Sequence, residues 1–301
     1  MRILVTGATG FIGSHVAVRL ARAGHQVVAT GRAPQKVPAL ATVPGLTLAR
    51  GDLHDPASWE AALPGCDVLV HLALGWGDKP VDMLHADTEA SVRLFDRARR
   101  AGIKRILYTS STAACGEMAA LNREDMAPRP TDFYGATKAA TEAYLRAFGH
   151  TYGLSVHCIR PGYIFGEPVV AGGRVQADTR FRAICRAVRA GRPIELVRHD
   201  GTQFLHAQDI AEVYLRLLDH PRSPSVHYAL ARDWIGWDEI ARMANELAGR
   251  HSEIVLEDRG YDPTPLRFDV ATIERDFGLS FPNRERLREH VRWELGRPDQ
   301  A

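Results

Sequence analysis

The strongest constraint on this chain lies in its first thirteen residues. A short apolar run, Arg2–Thr6, passes directly into Gly7-Ala8-Thr9-Gly10-Phe11-Ile12-Gly13. From Phe11 to Ala23 apolar residues then recur at helical spacing, at Ile12, Val16, Leu20 and Ala23. A strand, a glycine turn and a helix in immediate succession leave little choice of geometry. Gly7 permits the tight turn, Gly10 lets backbone approach a phosphate, and Gly13 lets the helix lie close on the strand. The free N–H groups at such a helix start attract anions. The segment therefore predicts the opening of a βαβ unit and a dinucleotide site, in which Thr9, Phe11 and Ile12 join Gly7, Gly10 and Gly13 as cofactor-binding residues.

The same alternation continues. Gln26–Thr30, Leu46–Arg50, Asp67–His71, Arg105–Thr109 and Ser155–Arg160 read as strands. Val81–Arg100 reads as one long helix ending at Ala101-Gly102, and Phe133–Tyr152 as another, stopped by Gly153. Strand alternating with helix predicts an α/β, Rossmann-type, doubly wound parallel sheet over residues 1–160. After Pro161-Gly162 the rhythm breaks. Gly166–Arg174 reads as a loop, followed by helical patterns at Arg180–Ala190, Ala207–Leu218 and Trp237–Leu247. Short strand-like pieces lie at Ile194–Val197 and Ser225–Leu230. Residues 161–301 are expected to form a smaller mixed α/β substrate-binding region, partly packing back on the first. The polar tail Arg297–Ala301 is expected to fray.

Composition narrows the partners. A formal net charge of +2 over 301 residues gives no footprint for nucleic acid. The thirteen histidines show no HExxH pair, and the four cysteines (Cys66, Cys115, Cys158, Cys185) form no CxxC, so neither a metal site nor a disulfide framework is expected. Unpaired thiols suit a reducing, cytoplasmic compartment. No apolar stretch reaches membrane-spanning length, and the MRILVTG start is too short an apolar run for a signal peptide. The expected partner is a small-molecule substrate.

The end of the second strand bears on the choice of cofactor. A carboxylate there would bind the adenine-ribose hydroxyls, whereas an arginine accommodates an extra phosphate. Here the residues are Thr30-Gly31-Arg32. Arg32 offers a forked cation, so NADP is preferred over NAD; a solvated loop arginine beside NAD is the alternative. Asp52-Leu53 follows the third strand, with Asp52 suited to the adenine amino group and Leu53 to the ring face. A helix-start role for Asp52 is equally open. Tyr134 and Lys138 stand four residues apart on one helical face. Bringing a phenol from ~10 to near neutrality takes roughly 4 kcal/mol, which a nearby ammonium and a cationic nicotinamide could supply. Tyr134 then exchanges a proton with the substrate oxygen. Hydroxyls at the end of the fifth strand could orient that oxygen, and Ser110, Ser111 and Thr112 all qualify.

Taken together, these pieces resemble the extended short-chain dehydrogenase/reductases, the NAD-dependent epimerase/dehydratase family. The resemblance rests on TGATGFIG (6–13), GDLHD (51–55), VLVHLA (68–73), YTSSTAACG (108–116), YGATK (134–138), RPGYIFG (160–166) and FLHAQDIA (204–211). It implies that Ser111 is the catalytic hydroxyl beside Tyr134 and Lys138. It also implies that Leu72, Ala73, Thr109 and Pro161 border the cofactor along with Tyr134 and Lys138. It places Leu74, Trp76, Ser111, Thr112, Cys115, Met118, Tyr163 and Phe204 around the substrate; core packing is the alternative for Trp76 and Phe204. Asp209 is expected to cap or anchor its helix. Family members often form homodimers through helices corresponding to 81–100 and 134–152.

Three positions depart from the family's nucleotide-sugar pattern. Thr202 stands where an arginine usually grips the diphosphate, Tyr163 where an asparagine is common, and Asp87 where the long helix usually carries asparagine. Arg174, Arg180 and Arg182 could substitute for the missing cation. The main expectation is a dehydrogenase or ketoreductase acting on a small carbonyl or alcohol. The alternative is an epimerase or dehydratase that retains its cofactor, acting on a sugar or nucleotide-sugar. A cofactor sensor would not need the acid/base residues.

Overall fold

The structure, a computed structural model, describes residues 1–298 of the 301. The end of the tail expected to fray, 299–301, lies outside the described residues. The first half runs β1 (Arg2–Thr6), α1 (Phe11–Arg22), β2 (Gln26–Gly31), β3 (Leu46–Arg50), α2 (Ala57–Glu60), β4 (Val68–His71), α3 (Pro80–Met83), α4 (Ala90–Arg100), β5 (Arg105–Thr109), β6 (Leu121–Asn122), α5 (Phe133–Tyr152) and β7 (Ser155–Pro161). The second half runs β8 (Ile164–Phe165), α6 (Arg180–Ala190), β9 (Ile194–Val197), β10 (Gly201–Thr202), β11 (Leu205–His206), α7 (Ala207–Leu217), β12 (Ser225–Ala229), β13 (Ile235–Gly236), α8 (Trp237–Ala248), β14 (Ile254–Glu257), β15 (Arg267–Phe268), α9 (Ala271–Phe277) and α10 (Arg284–Gly296).

Seven strands form one parallel sheet in the order β12-β7-β5-β4-β1-β2-β3. The period-two alternation of side chains divides its core. Ile3 and Val5 point to one face, where α1 and α7 bury Val16, Leu20, Ile210 and Tyr214. Leu4, Leu69 and Ile106 point to the other, where α4 and α5 bury Leu94, Phe95 and Leu145. Because every strand runs the same way, their carboxyl ends gather on one edge. The second half contributes to this unit as well: β12 pairs with β7, and α7 lies along α1. Its own core is an aromatic cluster of Phe165, Phe181, Phe204 and Trp237 among α6, α8 and α10.

The long helix expected over Val81–Arg100 is interrupted. Between α3 and α4, Leu84–Glu89 forms a π-helical segment, a widening that often marks functional positions. It buries Asp87 completely.

Between α5 and β7, Arg160 makes a two-point ion pair with Glu142, Nε to Oε1 at 2.9 Å and Nη2 to Oε2 at 2.7 Å. Nearby, Glu124 Oε1 accepts the Tyr228 backbone N–H at 2.7 Å. Burial pushes the Glu124 carboxyl up from 4.5 to about 7. A raised acid pKa penalises the folded state only where the unfolded chain has ionised. The penalty is therefore absent below about 4.5 and fully present above about 7. Glu124→Gln keeps the acceptor and removes the titration. Urea unfolding at about pH 5 and about pH 8 should show the wild type losing on the order of 2 kcal/mol more than the variant; equal losses would exclude this role.

Candidate active site

The glycine loop closes as its sequence predicts, for steric reasons. Gly7 adopts φ +70°, and a Cβ on it would lie 2.6 Å from the Ala73 backbone nitrogen at the end of β4. A Cβ on Gly13 would run into the Gly7 carbonyl. The loop is thus pressed between α1 and the sheet edge. α1 starts at Gly10 with no side-chain cap and no acid in its first turn, so its N–H groups are open to an anion without competition. A dinucleotide pyrophosphate fits this cradle, and Gly7, Thr9, Gly10, Phe11, Ile12 and Gly13 are the residues that would hold it.

The adenine-side residues follow along the same edge. Any side chain on Gly31 would collide with Thr9, so the absence of an acid there has a packing reason besides the electrostatic one. Arg32 stands exposed just beyond it. Asp52 Oδ1 accepts the His54 N–H at 3.1 Å in a local turn and does not start a helix, since α2 begins at Ala57, and Leu53 packs against the core beneath the sheet. Leu72 and Ala73 are tied to β1: the Leu72 N–H donates to the Thr6 carbonyl, and the Ala73 N–H to Thr6 Oγ1 at 3.3 Å. Thr109 ends β5 with its hydroxyl 2.6 Å from that of Tyr214, and Pro161 ends β7.

α5 delivers Tyr134 and Lys138. Its start is capped by Asp132, which accepts the Gly135 N–H at 2.6 Å. Gly135 has no room for a side chain, because a Cβ would run into the Ala113 carbonyl. That close approach seats Tyr134 beside the turn carrying Ser111. Ser111 Oγ accepts the Ala113 N–H at 3.1 Å, and its hydroxyl lies beside the Tyr134 phenol and lowers its pKa. Of the two other hydroxyls considered, Ser110 is buried with its Oγ unpaired, and Thr112 is half-buried. Lys138 is buried, with Nζ 5.6 Å from the centre of the Tyr134 ring and 5.3 Å from that of Tyr108.

Taken together, the protein's own groups around Tyr134 do not lower its phenol pKa. Burial pushes Tyr134 above its usual 10, the Ser111 hydrogen bond pulls it back, and the negative charge of Asp87 pushes it up again. The Lys138 ammonium is committed elsewhere: its Nζ lies 3.1 Å from Asp87 Oδ2. Burial lowers the Lys138 pKa while Asp87 raises it. Sequence reasoning noted Asp87 without giving it a role. An acid on the helical face shared by Met83, Ser91 and Leu94 was the available signal.

The substrate-side residues divide. Trp76 is exposed and its ring lies 6.3 Å from that of Tyr134, so it borders the site rather than the core. Leu74 is also exposed. Cys115 and Met118 line a cleft of about 400 Å³ with Asn122, Arg129 and Tyr228. Phe204 is a correction: it is fully buried, 5.1 Å from the Tyr163 ring and 4.9 Å from Trp237, and forms the aromatic core on which half-buried Tyr163 rests. Arg180 is held by Asp178 and Asp200 and stacks over Trp237 at 4.2 Å. Arg182 donates to the Pro298 carbonyl at 3.2 Å. Asp209 lies 3.6 Å from Arg286 and anchors α10, while His206 caps α7. All four cysteines are free and buried, and no metal-binding cluster occurs among the described residues.

A parallel sheet whose carboxyl edge presents a glycine cradle, with tyrosine and lysine one helical turn apart, defines an NAD(P)-dependent enzyme of the extended short-chain dehydrogenase/reductase type. The chain belongs to the NAD dependent epimerase/dehydratase family, whose model matches residues 3–231. It is 30% identical to a dTDP-4-dehydro-6-deoxy-D-allose reductase of Streptomyces bikiniensis, over 97% of this chain and 95% of that protein. It is 28% identical to a UDP-glucose 4-epimerase of Azospirillum brasilense, over 97% and 92% respectively. Among solved structures it resembles MoeE5 in complex with UDP-glucuronic acid and NAD. There the TM-score is 0.76 and the identity 28%, over 97% of this chain and 96% of that one.

The tight seat of α5 has a measurable consequence. Gly135→Ala should cost about 1–3 kcal/mol of stability by overpacking against the Ala113 carbonyl. Chemical denaturation checks this, and an unchanged midpoint would show that α5 has slack.

Proposed function

We propose that this chain is an NADP-linked reductase that delivers hydride to a ketone on a small, moderately polar substrate, with the ketosugar class first in line. The observation that carries the reading is the joint seating of Ser111, Tyr134 and Lys138 at the edge that holds the glycine cradle. The cofactor, when bound, supplies the hydride. Ser111 orients the carbonyl oxygen, and the Tyr134 hydroxyl holds the proton that passes to it. Lys138 fixes the ribose and the phenol in register. Arg32 beyond Gly31 supports a 2′-phosphate.

Reduction is favoured over epimerisation by the diphosphate side. Thr202 lies in β10 paired with Ile235, and Arg180 is already engaged by two carboxylates. The full-length similarity to a UDP-glucose 4-epimerase keeps the cofactor-retaining reaction as the second reading. The ultraviolet spectrum of protein as purified separates them: bound nicotinamide that survives gel filtration supports the epimerase, and an empty site the reductase. Exposed Val81, Leu84, Tyr144 and Tyr152 on the helices near the site suit a homodimer, and the unpaired cysteines suit the cytoplasm.

Two substitutions test the assignment. Tyr134→Phe should lower reduction of 4-ketosugar nucleotides, or of whichever ketone is turned over, by at least about a hundredfold with cofactor binding intact; full turnover would remove Tyr134 from the chemistry. Arg32→Ala should weaken NADPH about tenfold or more while barely changing NADH, and matching losses in fluorescence titrations would argue for NAD.

A further inference from the structure

The catalytic lysine is buried against a carboxylate that its helix alone does not supply. Asp87 is completely buried, Lys138 nearly so, and Nζ and Oδ2 meet at 3.1 Å. The contact lies off the hydrogen-bonding direction, since Oδ2 receives no aligned donor. Oδ1 accepts the Gly75 N–H at 3.2 Å. Gly75 can approach so closely only because it has no side chain; a Cβ would collide with the Ala86 carbonyl. The π-helical segment Leu84–Glu89 thus aims one carboxylate in two directions, at the loop carrying Trp76 and at the lysine below Tyr134.

We propose that Asp87 is a positioning residue that sets the charge of the Lys138–Tyr134 pair, so that the site holds the oxidised, cationic nicotinamide more firmly than an amide at position 87 would allow. This rests on the nicotinamide reading above. An amide would keep the Gly75 hydrogen bond and leave Lys138 as an uncompensated cation. The carboxylate brings that local sum to zero, and charge differences in a buried site are weakly screened. Other groups do not substitute for it. On α5, Glu142 is bound to Arg160, and Asp132 is engaged with the Gly135 N–H at the helix cap. On β4, His71 is neutral, pushed down to about 3 by burial and by Lys138, with Thr6 and Ser91 on its two nitrogens. On β5, Tyr108 is pushed up by burial and by Asp87 itself. Firmer binding of the oxidised form makes the bound reduced form a stronger hydride donor, which accords with reduction as the working direction.

The test compares wild type with Asp87→Asn, titrating NADP⁺ and NADPH separately, with NAD⁺ and NADH in parallel. The ratio of dissociation constants, oxidised over reduced, should rise about tenfold in the variant. The midpoint of proton release on NADP⁺ binding should fall by about one pH unit, because loss of the negative charge favours phenolate. Asp87→Ser gives the same readout if the amide variant does not fold. An unchanged ratio, or equal weakening of both forms, would make Asp87 a structural anchor and overturn the proposal. If the wild type binds neither nicotinamide pair, the cofactor reading itself fails, a different result from an unchanged ratio.

Discussion

An ammonium buried under the active site needs a counter-charge, and the architecture around Lys138 is organised by that requirement. A lone buried charge costs several kcal/mol. Here the compensating carboxylate comes from the π-helical segment between α3 and α4, and the lysine from α5, beyond β5 and β6. The two helices must pack on the same face of the sheet, and a π-helical turn must bring Asp87 to the contact. Thr88 Oγ1 donates to the Thr137 carbonyl at 3.2 Å alongside, so the hydroxyl of this polar seam is paired. Tyr134 inherits its position from this seam and from the close approach at Gly135.

The pair also changes how the acid/base chemistry is understood. A tyrosine and lysine on one face suggest a phenol held low by an ammonium. In the folded chain the ammonium is paired with Asp87 and burial pushes the phenol up, so the protein's own groups favour its protonated form. A protonated phenol is the state that a reductase needs to deliver a proton to the nascent alkoxide. The same balance leaves the neighbourhood hospitable to a cationic ring, which joins cofactor affinity and acid strength to one carboxylate.

Some features were legible because their physics is local. Three glycines between a strand and a helix can close only one way, and the structure supplies the steric reasons in the Gly7 and Gly13 contacts. The parallel sheet followed from alternating periods, and its strands fall within a residue or so of their expected ends. Phe204 was not legible, since an aromatic reads the same whether it lines a pocket or fills a core; only its contacts with Tyr163 and Trp237 decide. Asp178, two residues away, was the local partner Arg180 could have suggested, whereas its second partner Asp200 is twenty residues away and meets it only through the fold. The joining of β12 to the main sheet depends on a pairing with β7 that no local pattern encodes.

By itself, then, the sequence determined the sheet, the dinucleotide cradle and the placement of Tyr134 and Lys138 on one helical face, because each depends on spacing within a few residues. Tertiary structure alone decided the charge state of that face. The ion pair between residues 87 and 138 joins helices separated by β5, β6 and their loops, and its strength comes from burial that spacing cannot report.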